Sequence, residues 1–216
     1  MKNEKLAEVT EFLEGKAQLV AVSKYRTEEE IMTLYNSGQR IFAENRVQAL
    51  LERQQALPKD IEWHLIGHLQ RNKVKHILPI VTLIHSVDSL RLLKEIQSQS
   101  LRLNRTTKVL IQIHVAQEDS KFGLKPTEVD SFFTSLKQEP CPNVVVSGIM
   151  AMATNTIEKD IVVEEFSNAK RIFEKVKEEY YTKEESFKEL SMGMSSDYKE
   201  AVECGSTLVR IGSLLY

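Results

Sequence analysis

The run LVAVSKYR, residues 19–26, ends a stretch that reads as a buried strand on a primary amine, Lys24. Lysine is among the side chains least often fully buried, so its place at a strand's C-terminal end asks for a reason. An amine delivered there is a candidate nucleophile toward a carbonyl carbon. A lysine that only snorkels to solvent is the competing reading, and position alone leaves both open. Far downstream, MGMSSDYKEAVECG sets a glycine turn against Ser195, Ser196 and Asp197 at the start of a helical pattern. Free N–H groups with a hydroxyl beside them suit an anion, most naturally phosphate. Asp197 offers the alternative that its carboxylate simply caps the same donors. The stretch VRIGS, residues 209–213, shifts the balance toward an anion, because Gly212 admits close backbone approach and Ser213 adds a donor.

The segment HLIGHLQRNKVKH, residues 64–76, invites a metal or nucleic-acid reading. His64 and His68 are four residues apart, but a strand pattern and Gly67 lie between them and no acid stands where a metalloprotease needs one. Arg71, Lys73 and Lys75 read as a solvated helix face rather than a nucleic-acid surface. Cys141 and Cys204 make neither a disulfide framework nor a zinc set and read as structural, and no metal is expected. No phosphate-binding Walker loop, G-x-S-x-G elbow or pair of catalytic acids is present.

These residues need elements to position them. Short β-branched runs alternate with helical patterns, and the strands are expected at 18–24, 40–45, 61–67, 81–87, 108–115, 144–150, 189–193 and 207–212. Between them lie segments with apolar residues at three- and four-residue spacing, the first opening on Thr27 as its N-cap. Eight βα units without a dinucleotide fingerprint predict an α/β fold, a (β/α)8 TIM-type barrel, over a doubly wound sheet. Residues 3–14 read as an extra N-terminal helix, and no linker divides residues 1–216, which are expected to form a single domain. In such a barrel the C-terminal strand ends share one face, and Lys24, Glu44, Asn45, His64 of the third strand, the SMGMSSD segment and VRIGS are all expected there. The 216 residues carry 29 Lys plus Arg against 31 Asp plus Glu, a net charge of −2, so no global positive field calls for nucleic acid or an anionic membrane. A charged N-terminus and the lack of an apolar run of about 20 residues lead to a cytoplasmic expectation with no membrane contact.

In order along the chain stand AVSK, FAEN..Q, WHLIGHLQRNK, SKFGL, GIMAMA and LSMGMSSDYKEAVECGSTLVRIGS. This ordered set resembles the pyridoxal 5′-phosphate homeostasis proteins, a group related to the barrel domain of alanine racemase. FAEN has alanine where the family often has glycine, and the chain ends at Tyr216 sooner after the last strand than is usual. The resemblance implies that pyridoxal 5′-phosphate (PLP) is held as a covalent aldimine on Lys24. It assigns the phosphate to Ser195, Gly212 and Ser213, the pyridine nitrogen to Arg210, and the ring pocket to Asn45 and His64. An arginine facing the pyridine nitrogen keeps that nitrogen unprotonated, which makes a poorer electron sink and suits a binder better than a transaminase. The implied function is PLP homeostasis: a monomer that sequesters PLP and supplies it to apo-enzymes, with no strong catalytic activity and no catalytic residue assigned. The alternative is a PLP-dependent amino-acid racemase, which needs a second base on the opposite face of the substrate, usually a tyrosine from an added β-domain that is not found in these residues. A Schiff-base aldolase working without PLP would share the barrel and the lysine.

Overall fold

Each of the β-branched runs forms a strand in the computed structural model, which describes residues 4–118 and 121–216. Asn3 of the expected first helix and Ser120 of the SKFGL motif lie outside the described residues. In chain order the elements are α1 (Glu4–Leu13), β1 (Gln18–Val22), α2 (Glu28–Asn36), β2 (Ile41–Glu44), α3 (Val47–Ala56), β3 (Glu62–Leu65), α4 (Val74–Ile77) and β4 (Val81–Val87). They continue with α5 (Leu90–Arg102), β5 (Thr107–Ile113), α6 (Val129–Gln138), β6 (Val144–Ala151), α7 (Lys159–Tyr180), β7 (Glu189–Ser191), α8 (Tyr198–Glu203) and β8 (Leu208–Ile211).

The strands close into a parallel barrel in sequence order, and β1 meets β8 with Gln18 opposite Leu208 and Ala21 opposite Ile211. This is the expected (β/α)8 barrel, with α1 as the extra helix whose Leu6, Val9 and Leu13 are buried. Thr27 caps α2 as expected, in a reciprocal capping box with Glu30. Several strands stop one or two residues before the expected ends, so Lys24, Asn45 and Gly67 belong to the loops that follow. The reason is local: at the C-terminal rim the chain leaves the ladder while polar side chains continue the alternating pattern.

Alternation along the strands separates two apolar layers. One set, including Leu19, Phe42, Trp63, Ile84, Ile111 and Val209, packs between sheet and helices. The other, including Val20, Ile41, Ala43, Leu83, Leu110, Met150 and Leu208, fills the lumen. On β8 the lumen face therefore carries Leu208, then Arg210, then Gly212 toward the C-terminal mouth.

Gly148 sits opposite Glu189 where β6 meets the short strand β7. Its φ is +149°, and a Cβ there would lie 1.8 Å from the Glu189 carbonyl oxygen. Gly148→Ala is expected to cost about 3 kcal/mol or more through backbone strain and overpacking. Urea denaturation measures it, and a variant unfolding at the parent's midpoint contradicts this account of the β6–β7 seam.

Candidate functional site

Lys24 is exposed at the end of β1 and has no hydrogen bond or ion pair among the described residues. Its backbone, by contrast, is tightly held. Arg26 N–H donates to the Ser23 carbonyl at 3.1 Å, so Lys24 and Tyr25 form the middle of a tight turn. Tyr25 takes φ +64°, in the left-handed region that an aromatic residue seldom enters. Below this turn, Ser23 Oγ donates to Glu44 Oε1 at 2.8 Å, and Arg53 Nε donates to the same oxygen at 2.6 Å. Arg53 Nη2 also donates to the Arg26 carbonyl at 2.6 Å and to that of Ser23 at 3.3 Å. A buried ion pair thus grips both ends of the turn that presents Lys24. Glu44 was visible as a polar strand end, but Arg53, in the middle of a helical pattern, gave no local signal.

The loops after β7 and β8 come together beside the same strand end. Gly212 N–H donates to Ser195 Oγ at 3.2 Å. A Cβ on Gly212 would lie 3.3 Å from both the Val22 carbonyl oxygen and the Val22 Cβ, so β8 and the end of β1 are in close backbone contact there. The backbone N–H groups of Ser195, Ser196, Ser213 and Leu214 have no acceptor among the described residues. Ser195 Oγ accepts from Gly212, which leaves its own proton to donate. Asp197 does not cap α8, as the capping alternative would have it: its Oδ1 instead accepts from Met194 N–H at 2.6 Å. Burial raises the Asp197 carboxyl above its ordinary value, against the opposing pull of the Met194 N–H and Arg210. Asp197 thus takes one loop donor, Met194 N–H, and those of Ser195 and Ser196 stay open to another acceptor.

Inside the lumen a chain of polar side chains crosses the barrel. Arg210 is buried and donates from Nη1 to Ser191 Oγ at 2.6 Å and from Nη2 to the Ala151 carbonyl at 3.0 Å. Ser191 Oγ lies 3.0 Å from His85 Nδ1, and His85 Nε2 lies 3.0 Å from His64 Nδ1. Arginine only donates, and His85 Nδ1 is the one acceptor among the described residues for the proton of Ser191, so the chain runs in one direction. Ser191 accepts from Arg210 and gives its proton to His85, which donates from Nε2 to His64, leaving Nε2–H of His64 as the terminal donor. Burial pushes the Arg210 guanidinium down to about 10, still charged at neutral pH. Burial also lowers His64 to about 3 and, with His64 and Arg210 adding repulsion, holds His85 well below its ordinary value. Both imidazoles are neutral, as the chain requires.

Of the expected site residues, Ser195 and Gly212 meet directly, and Lys24 follows the strand end that Gly212 touches. Ser213 is exposed next to Gly212. Asn45 is half-buried on the rim, lining a separate cavity with Arg46, His68 and Lys73. His64 reaches Arg210 only through His85 and Ser191, and it lies toward the N-terminal end of the barrel. His85 and Ser191 went unread because each sits inside a plain strand pattern, VTLIHSV or ELSMG. Among the described residues no three His, Cys, Asp or Glu could hold a metal, and no helix is long and apolar enough to cross a membrane.

Comparison with known proteins places this geometry among relatives. Residues 3–216 match the family model described as alanine racemase, N-terminal domain. The chain is 38% identical over 204 residues to a pyridoxal phosphate homeostasis protein of Aquifex aeolicus, covering 94% of this chain and 87% of the relative. It is 35% identical to the human protein of the same name, covering 92% of this chain and 75% of that one. Among solved structures, PipY of Synechococcus elongatus superposes with a TM-score of 0.91 without PLP and 0.88 with PLP bound, at 32% identity over the whole of both chains. The alanine racemase of Clostridium difficile, at 15% identity and a TM-score of 0.81, shares the fold over 99% of this chain and 55% of its own length.

The two neutral imidazoles make stability depend on pH. Their folded-state values lie below the ordinary 6.5, so the unfolded chain takes up protons that the fold excludes. Their contribution is complete above 6.5 and is lost as pH falls below it, by up to about 1.4 kcal/mol per pH unit for each imidazole. The unfolding free energy should therefore drop between pH 6.5 and about 5, and His64→Gln should flatten that slope; a flat profile in the parent contradicts the neutral chain. Arg53→Met should cost about 3–5 kcal/mol by leaving the Glu44 carboxylate buried alone, with part of the loss recovered when Glu44→Gln is added. A cost below about 1 kcal/mol in urea unfolding contradicts the clamp.

Proposed function

We propose that this chain, which belongs to the pyridoxal phosphate homeostasis proteins within the alanine racemase N-terminal domain family, binds PLP at the C-terminal mouth of its barrel and keeps it in exchangeable custody for apo-enzymes. The observation that carries the reading is the set of backbone donors at Ser195, Ser196, Ser213 and Leu214 that have no acceptor among the described residues, with the Ser195 hydroxyl beside them. Such a cradle matches the oxygens of a phosphate monoester, and charge assistance strengthens each bond. The named relatives and the PLP-bound PipY support the same ligand.

When bound, PLP supplies an aldehyde that condenses with a primary amine, releasing water, and a pyridine ring able to draw electrons from the bond so formed. Lys24 is the amine in this proposal. The Ser23–Glu44–Arg53 clamp fixes its backbone while its side chain stays free to reach the ligand. Arg210 would face the pyridine nitrogen with the N–H groups that its protein bonds leave over. Its bonds to Ser191 and the Ala151 carbonyl restrain the guanidinium plane, and its charge opposes protonation of that nitrogen. Asn45 contributes from the rim, whereas His64, at the N-terminal end of the lumen, acts on Arg210 only through His85 and Ser191. A weakened electron sink and an exposed amine favour holding and exchange over turnover.

PLP titration followed by absorbance tests the reading in the parent, Lys24→Ala and Ser195→Ala. Lys24→Ala should lose the absorption band of the covalently held cofactor. Ser195→Ala should keep the band but bind PLP about tenfold or more weakly, since it removes a hydroxyl donor to a charged group. An unchanged spectrum in the first or an unchanged affinity in the second contradicts the assignment.

A further inference from the structure

At the opposite, N-terminal end of the barrel the strand starts surround a cavity of about 350 Å³. His64, Ser147, Glu62, Lys108, Glu185 and Lys188 are among its lining residues. Two of them are buried residues whose polar atoms open into the cavity without a protein partner among the described residues. His64 is 4% exposed, its Nδ1 is taken by His85, and its Nε2 has no partner among the described residues. Ser147 is 5% exposed, and its hydroxyl likewise has no partner among the described residues. An imidazole N–H and a hydroxyl that face a cavity from otherwise buried side chains are placed to meet a ligand there.

Charges of both signs stand around these groups without pairing. Glu62 shares the lumen face of β3 with His64, two residues away. Lys188 N–H donates to the Ser147 carbonyl at 2.9 Å, which sets its backbone beside that serine's strand. Lys108 lies in register between Leu83 and Val145. None of Glu62, Lys108, Glu185 and Lys188 forms an ion pair among the described residues. A donor at the cavity wall, flanked by unpaired cations and unpaired carboxylates, fits a ligand carrying both charges.

We propose that this cavity is a second binding site, for a free α-amino acid, whose carboxylate accepts from His64 Nε2–H and faces Lys108 and Lys188 while its ammonium group faces Glu62 and Glu185. The volume admits a small amino acid, and the charges at the mouth compensate both of its ends. The site is separate from the Lys24 rim and does not depend on PLP being the ligand there. It does touch the far end of the chain that begins at Arg210, so an occupant that draws on His64 also polarises His85 and Ser191.

Imidazole nitrogen NMR on the PLP-free protein, titrated with L-alanine, tests the site. Leaving PLP out keeps Lys24 chemistry from contributing, so failure here leaves the PLP reading standing, and failure of that reading leaves this site standing. The expected result is a saturable shift of His64 Nε2, identified by its absence in His64→Gln, with a smaller one at His85. Sodium acetate and methylammonium chloride, each with half of the charge pattern, should bind at least about tenfold more weakly. The double variant Lys108→Ala/Lys188→Ala replaces two exposed side chains, keeps the ligand-free His64 and His85 resonances, and should weaken L-alanine binding about tenfold or more. A shift that never saturates, that sodium chloride or acetate reproduces at equal concentration, or that survives in the double variant overturns the proposal.

Discussion

A guanidinium buried inside a closed barrel has to be hydrogen-bonded in place, and much of the site follows from how Arg210 meets that demand. It cannot accept a proton bond, so every neighbour that pairs with it must offer an oxygen lone pair. Ser191 and the Ala151 carbonyl do so, from β7 and from the end of β6. That choice passes a fixed direction down the lumen through Ser191, His85 and His64. Were either imidazole protonated, it would place a second buried cation near Arg210 and remove an acceptor from the chain. Burial keeps both neutral, so one positive charge remains, at the end that faces the C-terminal mouth.

The amine on the other side of that mouth is governed by a second buried charge, on the outer side of the sheet. Glu44 ends β2 and Arg53 lies on α3, yet together they hold Ser23 and Arg26, the residues on either side of the Lys24–Tyr25 turn. The pair is costly to desolvate, and its use here is positional: it joins β1, β2 and α3 at the point where the lysine leaves the sheet. The left-handed Tyr25 is strain held in place by the same bonds. Close contact between Gly212 and Val22 then brings the loop donors around Ser195 and Ser213 to that lysine's strand.

Much of this arrangement was legible in the residues. β-branched runs at regular spacing revealed all eight strands, since period and breaker residues are local signals, and Lys24, Ser195 and Gly212 stood out because each breaks its local pattern. Strand ends ran long because the polar alternation at the rim outlasts the hydrogen-bonded ladder. His85 and Ser191 could not be read, because their pairing across 106 residues exists only once the barrel closes. Arg53 was hidden for the same reason. Asp197 looked like a cap from its spacing, but the turn bends its carboxylate back to Met194. The identity of the ligand came from ordered agreement along the whole chain, since a lysine and an anion cradle alone would suit several phosphorylated carbonyl compounds.

The most direct measurement is borohydride reduction of the PLP-loaded protein, followed by proteolysis and mass spectrometric mapping of the modified lysine. The account predicts one dominant phosphopyridoxyl group, on Lys24, in the peptide that contains Tyr25 unless cleavage falls between them. Modification spread over surface lysines, or concentrated on a lysine outside the C-terminal mouth, would contradict it.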